Sequence, residues 1–412
     1  MLNFALENLE NSSSVNSQLS IIHYPLKKVH SPFSTLHYPL KNACRRAATL
    51  LLALCAVVPG RALGAGAPAD SAARPGARLL EKADPTIHFS GYIIGKYSLS
   101  TRRGTGENGG FDLRFVRLSA SGHCFDHFFY RLQLEVNGAP GPDKGPRVVD
   151  AFVEWQQLPF LRVKLGQFKR PFGFENPYSP LDVGLGSYAQ ATMKLASIAD
   201  RNGEHKSSGR DLGVQLQGDL FASPRDGHPW LHYQVGLFNG QGINHTDKDH
   251  HKDLIGGLWL SPLRELSVGA FGWNGRYVNE SFDPASATPG LRRTKRVRWG
   301  VGLKYESRWT LRGEYMSSRG GVVTNASAPH RSDGWYATLG VPLARGLKLY
   351  GRWDCYRDAR TWRSLKADYD LALNYRLGSH LLFQVNYGYV ADRATTGDGH
   401  YNTFDVQVAA SF

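Results

Sequence analysis

The sequence predicts an all-β protein, a transmembrane antiparallel β-barrel of about sixteen strands, and three observations predict it. The chain ends on a strictly alternating segment, with Phe404, Val406, Val408, Ala410 and Phe412 on one parity and Thr403, Asp405, Gln407 and Ser411 on the other. In water that aromatic-tipped face would be an exposed edge strand, which soluble proteins avoid. It makes sense if lipid covers the face and a neighbouring strand covers the edge. Second, although 42% of the 412 residues are hydrophobic, no window beyond residue 65 is apolar enough to cross a bilayer as a helix, which takes roughly 18 such residues. Third, alternating segments recur through the body, and the connections between them are long and short by turns. Glycine (45), tyrosine (19), phenylalanine (20) and tryptophan (9) are plentiful, which suits strands, turns and interfacial aromatic belts.

The first element is an export leader. Lys41, Arg45 and Arg46 precede the apolar run Ala47 to Val58, Pro59 and Gly60 break it, and Ala62-Leu63-Gly64 offers small residues for cleavage. Residues 41–64 therefore read as a secretory signal peptide, too short for a membrane anchor. Cys55 does not make it a lipoprotein signal, because bulky Leu54 precedes it. Residues 1–40 hold a near-repeat, His23 to Lys27 and His37 to Lys41, and are expected to be a mis-assigned start or a disordered extension. Residues 65–86, rich in Ala, Gly, Pro and Asp, read as a flexible periplasmic lead-in.

Residues 87–412 form the barrel. The expected strands are 87–98, 111–122, 126–137, 147–157, 159–168, 209–220, 229–239, 252–261, 265–275, 296–306, 308–317, 333–342, 346–355, 364–376, 379–391 and 400–412. Their length suits tilted strands crossing an outer membrane. Every even-numbered gap is short and every odd-numbered one long. With both ends of the barrel in the periplasm, the short gaps become periplasmic turns and the long ones outside loops. A soluble sandwich has no reason to sort its connections this way.

Parity assigns the faces. In 126–137, Phe128, Tyr130, Leu132, Leu134 and Val136 face lipid, and Arg131, Gln133, Glu135 and Asn137 face inward. Arg162 and Lys164 face inward in the fifth strand, and Arg298, Lys304 and Glu306 in the tenth. Lys348, Arg352 and Asp354 do so in the thirteenth, and Lys366, Asp368, Asp370, Asn374 and Arg376 in the fourteenth. Turning such a strand over would set each Arg or Lys against acyl chains at about 2–4 kcal/mol near the midplane. One strand resists: Phe115 shares parity with Arg117, so a bulge or a lumen-facing aromatic is expected there.

A barrel of this size is too wide for side chains to fill and should enclose water. The chain carries +14; six Lys/Arg against two Glu in residues 1–64 account for four of these, leaving +10 on the exported part. Basic residues along a low-dielectric passage concentrate anions and exclude cations. The expected lumen cations are Arg131, Arg162, Lys164, Arg298, Lys304, Arg312, Lys348, Arg352, Lys366 and Arg376. The competing reading places the basic charge at the rim, against lipid head groups or lipopolysaccharide. Mid-strand positions favour the lumen.

The gap 169–208 is too long to be idle. It carries Lys169, Arg170, Lys194, Arg201 and Lys206, with Arg210 just beyond. Phe172, Phe174, Tyr178, Leu181, Leu185 and Tyr188 favour a loop folded against the inner wall, narrowing the passage and presenting these cations, over a mobile external loop whose charges are merely solvated.

The block Gly-Gln-Phe-Lys-Arg-Pro-Phe at 166–172, with Phe111 to Leu118 and Asp150 to Trp155 upstream, resembles the phosphate-selective porin O and P family. The resemblance covers about residues 87–412. It implies a 16-stranded, usually trimeric outer-membrane channel whose third outside loop, the position of 169–208, folds into the pore. The family's paired arginines near 114–115 are here Arg114 and Phe115, a departure that bears on phosphate selectivity and not on the porin likeness.

Other constellations are weaker. His245 to His251 (His-Thr-Asp-Lys-Asp-His-His) has metal-ligand residue types, but sits in an outside loop where polar residues are the default. Gly104 to Gly110 is followed by no helix, so a phosphate-cradle reading fails its context. Cys124 and Cys355 lie a bilayer apart, beyond the ~7 Å that a disulfide spans. Two functions remain: a passive diffusion channel for small anions, possible phosphate preference included, or a non-channel barrel acting as adhesin or enzyme. Ser and His are only scattered through loops, with no spacing that assembles a nucleophile and base, so the channel is the expectation. No cofactor, metal or nucleic-acid partner is expected.

Overall fold

The computed structural model describes residues 86–102, 109–137, 145–198, 207–281, 290–320, 331–394 and 399–412. The expectations for residues 1–40, 41–64 and 65–85 lie outside these. The strands are β1 (Thr86–Ser100), β2 (Gly109–His123), β3 (Phe128–Glu135), β4 (Arg147–Leu158), β5 (Leu161–Lys169) and β6 (Arg210–Ala222). Then come β7 (Pro229–Phe238), β8 (Asp253–Leu263), β9 (Leu266–Ser281), β10 (Gly290–Glu306) and β11 (Thr310–Gly320). The last are β12 (Arg331–Ala344), β13 (Leu347–Arg357), β14 (Leu365–Leu377), β15 (Leu381–Asp392) and β16 (His400–Ser411). Each pairs antiparallel with its sequence neighbours, and β1 closes on β16 to complete a sixteen-stranded barrel. No helix among the described residues is long and apolar enough to cross a membrane.

The expected strands coincide with these, their ends within three residues, except at the β9–β10 hairpin, whose strands run six residues further at the loop end. Alternation marks a strand only where one face meets hydrocarbon; beyond the bilayer both faces can be polar and the period fades. Connections of two to six residues alternate with connections of seven to forty, the longest joining β5 to β6.

The barrel is apolar outside and polar within. Leu132, Leu165, Leu258, Trp299, Trp353, Leu371 and Phe404 are exposed on the outer surface, while Arg117, Glu135, Asp150, Arg298, Arg312, Glu314, Arg352 and Asp354 are buried. That inverts the pattern of a soluble protein and matches a wall solvated by lipid. At β2 both expected outcomes occur. The β1–β2 register shifts at Ile94/Gly95, leaving Arg114 as the extra residue. Phe115 packs inward with Tyr92, Ile94, Leu382 and Ala409, and the Arg117 guanidinium lies 4.4 Å from its ring centre. Cys124 and Cys355 are both free thiols.

Candidate functional site

The site is built at the end of β5. Gly166 has φ +133°, and a Cβ there would stand 2.2 Å from the Ala151 carbonyl, so only glycine lets β4 approach. Pro171 ends the strand ladder by lacking an N–H, and the chain leaves the wall. Its neck is tied at both ends: the Arg170 N–H donates to the Gly209 carbonyl (2.9 Å), and the buried Arg170 guanidinium donates to Asp211 of β6. Asn176 Nδ2 donates to the Arg170 and Gly209 carbonyls, and Lys169 Nζ to those of Asn176 and Tyr178. Gly173, at φ +86°, leaves no room for a Cβ against Met316 and Glu314.

Buried Glu314 of β11 is the main clamp. Its carboxylate accepts the backbone N–H groups of Phe174 (2.7 Å) and Glu175 (2.8 Å) and the Tyr336 hydroxyl (2.6 Å). Glu175 in turn accepts the Ala189 N–H and lies 3.8 Å from Arg352. Burial pushes the Glu175 pKa up, while Arg352 and the Ala189 amide pull the other way. Phe172 and Phe174 join Phe168, Phe238, Ile255, Phe271, Trp273 and Met316 in one apolar cluster. The guanidiniums of Arg170, Arg296 and Arg298 each lie within 4.8 Å of the Trp273 ring centre. The indole N–H donates to Asp253.

From 181 to 187 the backbone has no strand ladder, and inward-facing donors of β11 to β16 take up its carbonyls. Arg376 donates to Leu181, Arg312 to Asp182 and Val183, and Asn374 to Gly184. Gln407 donates to Gly186 and Arg352 to Ser187. A short helix, α1 (Gln190–Leu195), follows; its Gln190 N–H donates to Asp354. The Leu195 carbonyl and Ser197 hydroxyl accept from Arg298.

On the other side of this segment a cavity of about 740 Å³ runs along the inner face of β1 to β10, and it is lined by Arg117, Arg131, Lys164, Lys169, Arg170, Arg210, Lys304 and His232 against Asp150 and Asp219. Carboxylates stand beside or behind most of these cations. Arg117 and Arg147 share Glu135, Arg131 and Arg210 share Asp150, Lys164 faces Glu154 at 3.3 Å, and Arg170 pairs Asp211. Lys304 makes no ion pair among the described residues and lies over the Phe174 ring. Positive charge is thus in excess, but by less than a count of inward Lys and Arg implies.

The expected constriction residues therefore divide. Lys169, Arg170 and Arg210 line the cavity; Lys194 lies in the last turn of α1, away from it; Arg201 and Lys206 fall outside the described residues. Of the expected lining residues, Arg131, Lys164 and Lys304 reach the cavity. Arg162 pairs Asp219, Lys348 donates to Thr310, and Lys366 lies beside Asp368 and Tyr401. Arg298, Arg312, Arg352 and Arg376 are engaged with the segment. Sequence reasoning missed Glu314, Phe152, Trp259 and His232; for the two aromatics the signal was an aromatic on the polar parity, the same anomaly as Phe115. In the 245–251 loop, Asp247 accepts the N–H groups of Asp249 and His250. No group of three metal-ligating side chains converges among the described residues.

Residues 94–227, about a third of the chain, match the family model for phosphate-selective porin O and P, so the likeness read from Gly166 to Phe172 stands. No curated protein sequence matches the chain. Among solved structures it is similar to the anion-selective porin from Comamonas acidovorans, at 13% identity and TM-score 0.59, covering 80% of this chain and 100% of that one. It is also similar to the trimer form of OmpT, an outer membrane protein of Vibrio cholerae, at 11% identity and TM-score 0.54, covering 80% and 99%. A third is the outer membrane channel DcaP of Acinetobacter baumannii, at 11% identity and TM-score 0.53, covering 81% and 99%. At these identities the likeness is one of fold.

Proposed function

We infer from the family match and the closed barrel that the chain is an outer-membrane porin, a channel rather than an enzyme. We propose further that it is a passive, anion-preferring diffusion channel, its lumen narrowed by the 169–208 segment. The observation that carries this is the cavity beside that segment, where Lys304 and the pairs sharing Glu135 and Asp150 leave uncompensated positive charge. In a low-dielectric passage such an excess admits anions and repels cations. Residues 41–64 serve as the export signal in this reading, and outer-membrane lipid and lipopolysaccharide surround the barrel. The barrels assemble as a homotrimer, as the trimer form of the Vibrio protein supports. Inorganic phosphate and small organic acids are both candidate permeants. Reconstitution into planar bilayers under a potassium chloride gradient tests the proposal. Ohmic channels whose reversal potential lies toward that of chloride are expected; a cation-side reversal, or no conductance, would refute it.

A further inference from the structure

Resting on the anion-channel reading, we propose that the favoured permeants are organic anions that carry an aromatic ring, simple aromatic carboxylates, rather than inorganic phosphate. The cavity is lined not only by cations but by Phe152 of β4, Phe168 of β5, Phe174 of the β5–β6 segment and Trp259 of β8. The rings are arranged edge to face. Phe152 and Phe168 stand 6.0 Å apart at 75°, Phe174 and Trp259 6.5 Å apart at 83°, and His232 lies 5.3 Å from Trp259. The ammonium of Lys164 lies 4.9 Å from the Phe152 ring centre and 5.4 Å from that of Phe168, and the ammonium of Lys304 5.8 Å from that of Phe174. Each cation is thus mounted on an aromatic wall.

Phosphate is strongly hydrated, and rings offer no donors to replace its water. An aromatic carboxylate has a use for both halves of this wall: its carboxylate meets Lys304, or Lys164 beside its partner Glu154, and its ring meets Phe152 or Trp259 edge to face. The volume lies within the ~300–1,000 Å³ of sites that take small organic molecules. Phe168 and Phe174 are also the bed on which the segment packs, and their burial alone is explained by that. Phe152 and Trp259 are only partly buried and sit at its edge, on inward parities where β3, β6 and β7 carry Gln133, Gln215 and Gln234. Both also touch the cluster, Trp259 lying 5.1 Å from Phe271, but each keeps part of its ring open to the cavity.

The test is bi-ionic reversal potentials across bilayers holding the full-length channel, with benzoate, acetate and phosphate each against chloride. Acetate and benzoate share a carboxylate, and free diffusion favours acetate. The expected result is benzoate permeability at least equal to acetate and above phosphate. The double substitution Phe152→Leu with Trp259→Leu should lower the benzoate-to-acetate ratio by about threefold to tenfold, the range of one or two ring contacts. Its reversal potential in potassium chloride should stay on the chloride side, since no charge is removed. Benzoate trailing acetate in the unsubstituted channel overturns the proposal without any variant, so a double mutant that fails to fold does not protect it. An unchanged ratio in a folded double mutant also overturns it. Loss of chloride over potassium in the unsubstituted channel would instead defeat the anion reading beneath.

Discussion

The two halves of the inner wall use the same residue types to different ends. From β3 to β8, Arg131 and Lys164, joined by Lys304 of β10, face open cavity. From β10 to β16, Arg298, Arg312, Arg352 and Arg376 face inward just as squarely, yet their guanidiniums donate to the carbonyls of Leu195, Val183, Ser187 and Leu181. A segment of forty residues between β5 and β6 carries many backbone acceptors without a ladder, and a guanidinium with five donors is suited to satisfy them. Inward parity therefore fixes where a cation points and leaves open whether it meets solvent or backbone.

The strongest way to break this contrast is to release the segment. Glu314 is 4% exposed and holds two backbone N–H groups and the Tyr336 hydroxyl. Hydrogen bonds to a charged group contribute about 1.5–3 kcal/mol each, and donors left buried and unpaired cost a similar amount. Glu314→Ala should free the root of the segment, raising single-channel conductance severalfold and lowering chloride selectivity as the passage widens. Single-channel recording that gives the unsubstituted conductance would mean that the segment does not limit flow.

The barrel was legible in the sequence because hydrocarbon imposes a period of two on every strand it touches. Thus Trp299 and Val301 declared the outer face of β10 as plainly as Arg298 declared the inner. The loop end of the β9–β10 hairpin, residues 276–281 and 290–295, carries no such period in its sequence, and nothing in the pattern marked the strand. The root of the segment was legible too, through Lys169-Arg170-Pro171-Phe172 and the length of the gap. Its partners were not. Gln407 and Gly186 meet across 221 residues of sequence, and the segment has no period from which such pairings could be read. Phe152 and Trp259 escaped for a simpler reason: alternation assigns aromatics to lipid by default, and only a neighbour of known parity corrects it.

A set of three changes sharpens the contrast. Arg131→Gln and Lys304→Gln remove cations that face the cavity, whereas Arg312→Gln removes one engaged with the segment's carbonyls. At low salt each of the first two should reduce the chloride-to-potassium permeability ratio roughly fivefold, because one charge about 7 Å from the ion path in water-like dielectric acts with opposite sign on the two ions. Conductance should change little. Arg312→Gln should instead lower the temperature at which the folded barrel unfolds in detergent and leave the permeability ratio nearly intact. Equal losses of selectivity in all three variants would erase the distinction between the halves.

The smallest effect is expected from the carboxylate that tempers the cavity. Asp150 accepts two bonds from Arg210, at 2.6 and 3.0 Å, and stands 4.0 Å from Arg131, so one negative charge serves two positive ones. Asp150→Asn keeps an acceptor for Arg210 and removes the charge, adding one unit of net positive charge to the lining. Reversal potentials should then move further toward chloride, with the permeability ratio rising about twofold or less because the added charge lies against the wall and is screened. The opposite shift would mean that Arg210, deprived of its partner, turns away from the cavity, and that this pair holds the cationic wall in place instead of moderating it.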